Sequence, residues 1–514
     1  MGKSIIILAS FLVLSAKSNA QNEVDALRYS QTNFLGTARS AGMAGSFGAL
    51  GGDFSTLSTN PAGIGLYRKS EITFTPSFFN QSTTSNLNGT SLQDSKPNFN
   101  FGNAGIVWSS YNSDAQYGWK GFSFGFGYNR TNNFNNRIEM QGKNNNGSLL
   151  DVYLADANKN GTDSDPFGTQ LAWKTYMLNY DSLNNMYYHV LPNHGETQSK
   201  YVETSGSMGE SVFSFGGNYD DKLYLGGTIG VPRIHYTESS QYKESIDNDT
   251  IYGFKSFELN QNLTTTGSGV NFKFGMIYKP NDWVRIGGAF HSPSYFNMHD
   301  AWNSDMTSTF TGSNASYSSS SQSPQGTFDY SLITPMRAIG SLGFVINKIG
   351  MVNADYEYVD YSSTRLHSSS YDFLSENQAI SNKYTATGNI RVGTEWRVLN
   401  PMSLRVGVAY YGSPYKQGVG NDGSRISYTA GIGFREANFF IDLAYVFTQT
   451  KENYYFYDPT AAYVDPSINT SKSSSVMMTF GYKFSSERTS RPRRGNRPPP
   501  QSNPNPNPNP GNWH

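Results

Sequence analysis

Catalytic chemistry has few places to sit in this chain. Among its seven histidines, the candidates His235, His291 and His299 have no serine motif nearby of the kind a Ser-His hydrolase requires. No glycine-rich phosphate loop and no His-x-x-x-His pair is present. Cysteine is absent, which removes thiolate nucleophiles, thiolate metal sites, disulfides and a lipoprotein anchor together. Asp156-Ala157-Asn158-Lys159-Asn160-Gly161 fits the first half of a calcium loop, with Asp163 and Asp165 close by. Its twelfth position, which calls for a bidentate Glu, is Phe167, so an Asn/Asp-rich turn is the better reading. The chain reads as one without catalytic residues, bound metal or cofactor.

The remaining residues with something to do are of a different kind. Glycine and alanine crowd residues 37–65, in Thr37-Ala38-Arg39-Ser40-Ala41-Gly42-Met43-Ala44-Gly45 and again in Asn60-Pro61-Ala62-Gly63; this density permits compact irregular backbone. Leu171, Trp173, Tyr176, Met177, Tyr180, Tyr187 and Tyr188 gather large apolar groups within about 20 residues of a long connection, with helix-like spacing at its start. Such a patch marks either a landing groove for hydrophobic substrate or a self-packed cap and docking surface.

These groups need elements to position them, and period-two alternation supplies the elements. Phe122, Phe124, Phe126 and Tyr128 alternate with Ser123, Gly125, Gly127 and Asn129, and Val476, Met478, Phe480, Tyr482 and Phe484 alternate with small or polar residues. Rings on one face and small polar groups on the other suit a wall between lipid and a wet lumen. Composition agrees: aromatics are 15% of residues and charged residues 15%, a chain polar on average yet rich in large rings. The same pattern recurs through residues 71–484 in about 14 segments, and the fold class is all-β: a transmembrane antiparallel β-barrel. Short connections such as Asp220-Asp221, Pro280-Asn281, Asn400-Pro401 and Glu436-Ala437 alternate with long ones, as expected when one rim is periplasmic and the other extracellular. Facing inward are Lys273, Arg285, Arg337, Asp355, Glu357, Arg391, Glu395 and Arg405; mixed signs favour charges paired across strands over an ion-selective ring.

At the ends, Lys3, the apolar run 5–14 and Ser18-Asn19-Ala20 predict a signal peptide over residues 1–20. Residues 21–70 form a segment expected to pack inside the lumen as a hatch, or plug. Residues 485–514, with Arg488, Arg491, Arg493, Arg494 and Arg497 before an Asn-Pro repeat, predict an extended, disordered periplasmic tail. The acidic and basic residues balance at 39 each, so no field draws the chain to nucleic acid.

The order of these features resembles the FadL-type (OmpP1/FadL/TodX) outer-membrane transporters, in a style like the Bacteroidota branch. The resemblance runs from residue 37 to residue 484. It rests on the Ala41-Gly42-Met43-Ala44-Gly45 stretch, Asn60-Pro61-Ala62, Lys279-Pro280 between two strands, Ser292-Pro293, Thr334-Pro335 and Asp355-Tyr356-Glu357-Tyr358-Val359-Asp360-Tyr361-Ser362. It implies a hatch built on Asn60, Pro61, Ala62, Gly42 and Gly45, and a kinked third strand at 121–130, with Gly125, Gly127 and Asn129, through which substrate leaves sideways into the bilayer. The expected function is passive uptake of hydrophobic small molecules, such as long-chain fatty acids and aromatic hydrocarbons, across the outer membrane of a Gram-negative bacterium. The alternative is a non-transporting barrel that serves as scaffold or shuttle in a secretion or assembly machine, with a protein partner bound through the basic tail or the long loop.

Overall fold

The computed structural model describes residues 23–33, 36–191, 193–246, 253–312, 315–347 and 349–484. The segment read as a signal peptide and the basic tail lie outside the described residues. Fourteen strands, each antiparallel to both neighbours, close into a barrel when the first, Ser70–Leu87, pairs with the last, Ser467–Phe484. Three are interrupted: the third runs as Trp119–Asn133 and Asn136–Asn144, the seventh as Val284–His291 and Tyr295–Thr311, and the eighth as Gly326–Ile333 and Arg337–Ile346. In the last two the breaks fall at Ser292-Pro293 and Thr334-Pro335, where proline has no N–H to give the ladder. No helix among the described residues is long and apolar enough to cross a membrane, and the outer strand face carries the rings instead: Phe122, Phe124, Phe126, Phe215, Phe272 and Phe274 are all exposed.

The strands run further than alternation suggests. The first two, expected to end near residues 79 and 99, continue into a single hairpin turned at Asn88-Gly89, both at positive φ, as a two-residue turn requires. The added length is largely Ser, Thr, Asn and Gln on both faces. Clear of the hydrocarbon layer a strand has no apolar face to show, so the periodic signal stops before the strand does.

The long connection is likewise more ordered than a loop. Within residues 131–208 the third and fourth strands extend to Asn144 and from Glu196, leaving helices Leu149–Asn160 and Thr169–Lys174 and a hairpin of Leu178–Asp181 with Met186–His189. These form a cap whose Leu150, Leu171, Met177 and Leu178 pack on Met140, Val202, Tyr242, Phe257 and Met306 of the strands below. Residues 156–160, expected as an Asn/Asp-rich turn, are instead the last part of the helix Leu149–Asn160, and Asp156 accepts hydrogen bonds from Asn160, Ser164 and Thr169. Its carboxylate is thus used as a local brace.

Candidate functional site

Asn60 organises the N-terminal segment. Its side chain accepts from the Ala62 N–H and so caps the 3₁₀ helix Pro61–Leu66. Its Nδ2 donates to the carbonyls of Gly48 (2.6 Å) and Met276 (3.2 Å), the second on a barrel strand. The closeness demands glycine opposite: a Cβ on Gly275 would lie 1.9 Å from Asn60 Oδ1. Gly45 turns the chain at a φ of 73° after the short Ala38–Ala41 helix, and Gly42 abuts Gly431 of the twelfth strand.

Charges expected to face inward do so, and they hold this segment. Arg39 forms a bidentate pair with Glu395, Nε to Oε2 at 2.8 Å and Nη2 to Oε1 at 3.0 Å, and Arg405 reaches the same carboxylate at 2.6 Å. Asp355 accepts from the backbone N–H groups of Phe47 and Gly48. Glu357 bridges Arg337 and Arg391, and Lys273 pairs with Glu210, which also accepts from Ser58. Arg285 donates to the Leu50 carbonyl. Burying ions at this density is tolerable only where each finds partners. Arg405 also pairs with Asp442 at 2.7 Å. Glu210, Asp442 and Arg39 escaped sequence reading; their signal was the inward parity of Glu210 and Asp442, and for Arg39 only its place in a run of small residues.

Preceding that segment, the helix Glu23–Ser30 sits in an apolar chamber, where Leu27 and Tyr29 pack against Phe134, Met208, Ile234, Tyr236 and Phe296. Nothing in its short, mixed sequence announces this.

The third strand departs from its neighbour. Pairing with the second strand runs from Tyr111↔Gly121 to Asn103↔Asn129 and stops there. Above that point residues 90–102 pair only with the first strand, and Asn136–Asn144 only with the fourth. The upper third strand leans inward: Asn136 accepts from Thr83 of the first strand, and the Lys143 carbonyl accepts from Asn88. Side chains close what the ladder leaves open. Arg130 Nε donates to the Phe101 carbonyl at 3.0 Å, and Lys96 Nζ to the Thr204 carbonyl at 2.8 Å. The break therefore lies beyond Gly125 and Gly127, which are paired on both sides. Those glycines instead make room: a Cβ on Gly125 would lie 2.7 Å from Leu57, and one on Gly127 2.6 Å from Phe54. Asn129 is the last paired residue and donates to Ser58 of the N-terminal segment. Chain direction changes over the Asn-rich stretch 130–136, where ring alternation ends, and Asn132 and Asn33 bond the two segments together.

A cavity of about 310 Å³ opens behind this gap, between Gln31, Asn33 and Gly36 on one side and the first three and last four strands on the other. On the cap the predicted apolar set divides. Leu171 and Met177 are buried in its core, while Trp173, Tyr176, Tyr180 and Tyr188 are exposed beside Leu183, which is 94% exposed. Tyr187 packs between Trp173 and Tyr180, with ring centroids 5.6 and 5.1 Å away.

Residues 221–485, just over half of the chain, match the model of the outer membrane protein transport protein family (OMPP1/FadL/TodX). The chain belongs to this family. As a member of the FadL/TodX family it is an integral outer-membrane β-barrel of a Gram-negative bacterium, in a group whose members are transport channels rather than enzymes. Two solved structures share the fold: a Pseudomonas aeruginosa FadL homologue, TM-score 0.51 at 14% identity over 87% of this chain and 98% of that one, and the P. putida toluene transporter TodX, TM-score 0.51 at 11% identity over 88% and 99%. No curated sequence matches.

Proposed function

We propose that this FadL/TodX-type barrel takes up hydrophobic small molecules passively and releases them sideways through the gap between its second and third strands. The observation that carries the reading is the loss of backbone pairing beyond Asn103↔Asn129, with a cavity directly behind it. A greasy solute leaving there enters hydrocarbon, which favours it by about 0.8 kcal/mol per CH₂, and need not cross an aqueous pore. Residues 21–70 act as the hatch, held shut by the Arg39–Glu395 ion pair and by hydrogen bonds from Phe47, Gly48 and Ser58 to Asp355 and Glu210. The rim with the tight turns faces the periplasm, and the cap faces outward, where exposed Trp173, Tyr176, Tyr180 and Tyr188 first catch the solute. Long-chain fatty acids and aromatic hydrocarbons are the substrate classes in view.

The same exposed rings also support a second reading, a docking surface for a protein partner in an outer-membrane machine. Mild detergent purification with mass spectrometry of bound lipids and proteins separates the two. Bound fatty acid or hydrocarbon without a stoichiometric partner is the result expected here. A stoichiometric complex with an empty lumen would contradict it.

A further inference from the structure

The cavity behind the wall gap has a mixed chemistry, with more hydrogen-bonding groups than a bare hydrocarbon can use. Of its 28 lining residues, 17 are Ser, Thr, Asn or Gln. Three charged residues line it, Glu452 and two that are already engaged: Arg130 with the Phe101 carbonyl, and Arg425 with Asn33 Oδ1 at 3.0 Å and the Tyr411 ring at 4.7 Å. Buried ion pairs are dense beside the N-terminal segment, so this sparsely charged lining is a local property. Apolar atoms line it to a similar extent as polar ones, chiefly from Phe79, Ile138, Val446 and Met477.

Many lining hydroxyls are paired across strands, as Ser77 is with Ser475 and Ser427 with Thr448. Gln81 and Ser473 differ. They face each other across the first and last strands, both line the cavity, and neither has a side-chain hydrogen-bond partner among the described residues. A ligand that covers such groups without bonding them loses affinity, and one that bonds them does not. The volume falls within the roughly 300–1,000 Å³ of ordinary ligand sites.

We infer that this cavity is a binding site for an uncharged amphiphile whose head carries several hydroxyl groups, an alkyl glycoside being the simplest example. The head is held by the Ser/Thr/Asn/Gln wall, with Gln81 and Ser473 as its free hydrogen-bonding pair, and the alkyl portion lies along Phe79, Ile138, Val446 and Met477 toward the gap. This rests on the uptake reading above and narrows its substrate class from hydrophobic to amphiphilic. A site lined to bond hydroxyls discriminates strongly against an analogue lacking them.

The test uses the full-length protein in lipid nanodiscs, with empty nanodiscs as blank, and equilibrium binding of radiolabelled hexyl glucoside and hexylbenzene. Hexyl glucoside is expected to bind above blank, and Gln81→Leu/Ser473→Val to lower the ratio of glucoside to hexylbenzene affinity at least tenfold. The single Ser473→Val variant, with a smaller drop in the same ratio, covers failure of the double variant to insert. Binding of hexylbenzene alone would overturn this inference and leave the uptake reading standing. Binding of neither ligand would overturn both. Glucoside binding with an unchanged ratio in both variants would show that the site lies elsewhere and overturn the assignment.

Discussion

In the proposed uptake mechanism, Arg39 and Glu395 are the residues on which closure of the lumen turns. Their bidentate geometry is the best an ion pair can make, and both are buried. Removing one partner of such a pair costs about 3–5 kcal/mol, because the other is left charged and dry. Glu395 keeps Arg405 as a second partner, so Arg39→Met is expected near the lower end of that range and should free the hatch without unfolding the wall. The measurable outcome is a larger baseline conductance in planar bilayers and faster proteolytic cleavage within residues 36–66. Conductance and protection equal to the parent would mean that the pair does not hold the hatch. This residue shows where sequence reading ends. Arg405 and Glu395 were legible as inward charges because strand parity fixes their direction, whereas Arg39 sits in irregular chain, where parity says nothing and only the fold reveals its partner.

Among the elements, the third strand carries the functional argument. Its glycines suggested a bend at Gly125 and Gly127, but a glycine facing the lumen has two uses, backbone freedom and empty space, and here space for Leu57 and Phe54 is the one used. The real departure starts at residue 130, where the cue was an absence, the end of ring alternation, rather than a motif. Lys96 spans the gap to Thr204 and Glu203. Lys96→Met is therefore expected to widen it and raise the rate of hydrophobic uptake a few-fold, measured with a radiolabelled fatty acid in whole cells; a slower rate would argue that the lysine guides solute and does not bar it.

The cap offers a pH test at the same scale. Glu244 accepts from Ser148 and from the Leu149 N–H, tying the helix Leu149–Asn160 to the fifth strand. It lies about 20 residues above the turn rim, roughly 65 Å along the strand and about 50 Å along the axis of a barrel whose strands tilt by about 40°, and so beyond a hydrocarbon layer of about 30 Å. Burial pushes Glu244 up to about 7 and Glu196, beside it, up to about 8, from an ordinary 4.5. Asp151, His189, His194, Tyr242 and Tyr457 face the pair. A carboxyl raised on folding binds its proton more tightly in the folded cap. That contribution is complete below about pH 4.5 and is lost as pH rises through 7 and 8. Cap melting followed by Trp173 fluorescence should fall in temperature from pH 5 to pH 8, with a flatter slope in Glu244→Gln. A midpoint rising over that interval would contradict the assignment.

At the scale of the whole molecule, the closed barrel was readable from sequence because lipid enforces it. Every strand that crosses must show rings outward and small groups inward, and tight turns must collect on one rim. What lies outside the bilayer escapes that rule, so the strand extensions, the cap and the apolar seat of the helix Glu23–Ser30 became visible only in three dimensions. The central claim, sideways exit through the gap, also belongs to this scale. The chain lacks cysteine, so a pair introduced as Asn98→Cys and Thr131→Cys, one on each edge of the gap, reports on itself alone. Cells carrying the unlinked variant should take up radiolabelled oleate above the empty-vector level. Bridging the pair with a short reducible bis-thiosulfonate should bring uptake to that level, and reduction should restore it; uptake unchanged after complete bridging would contradict exit between these strands.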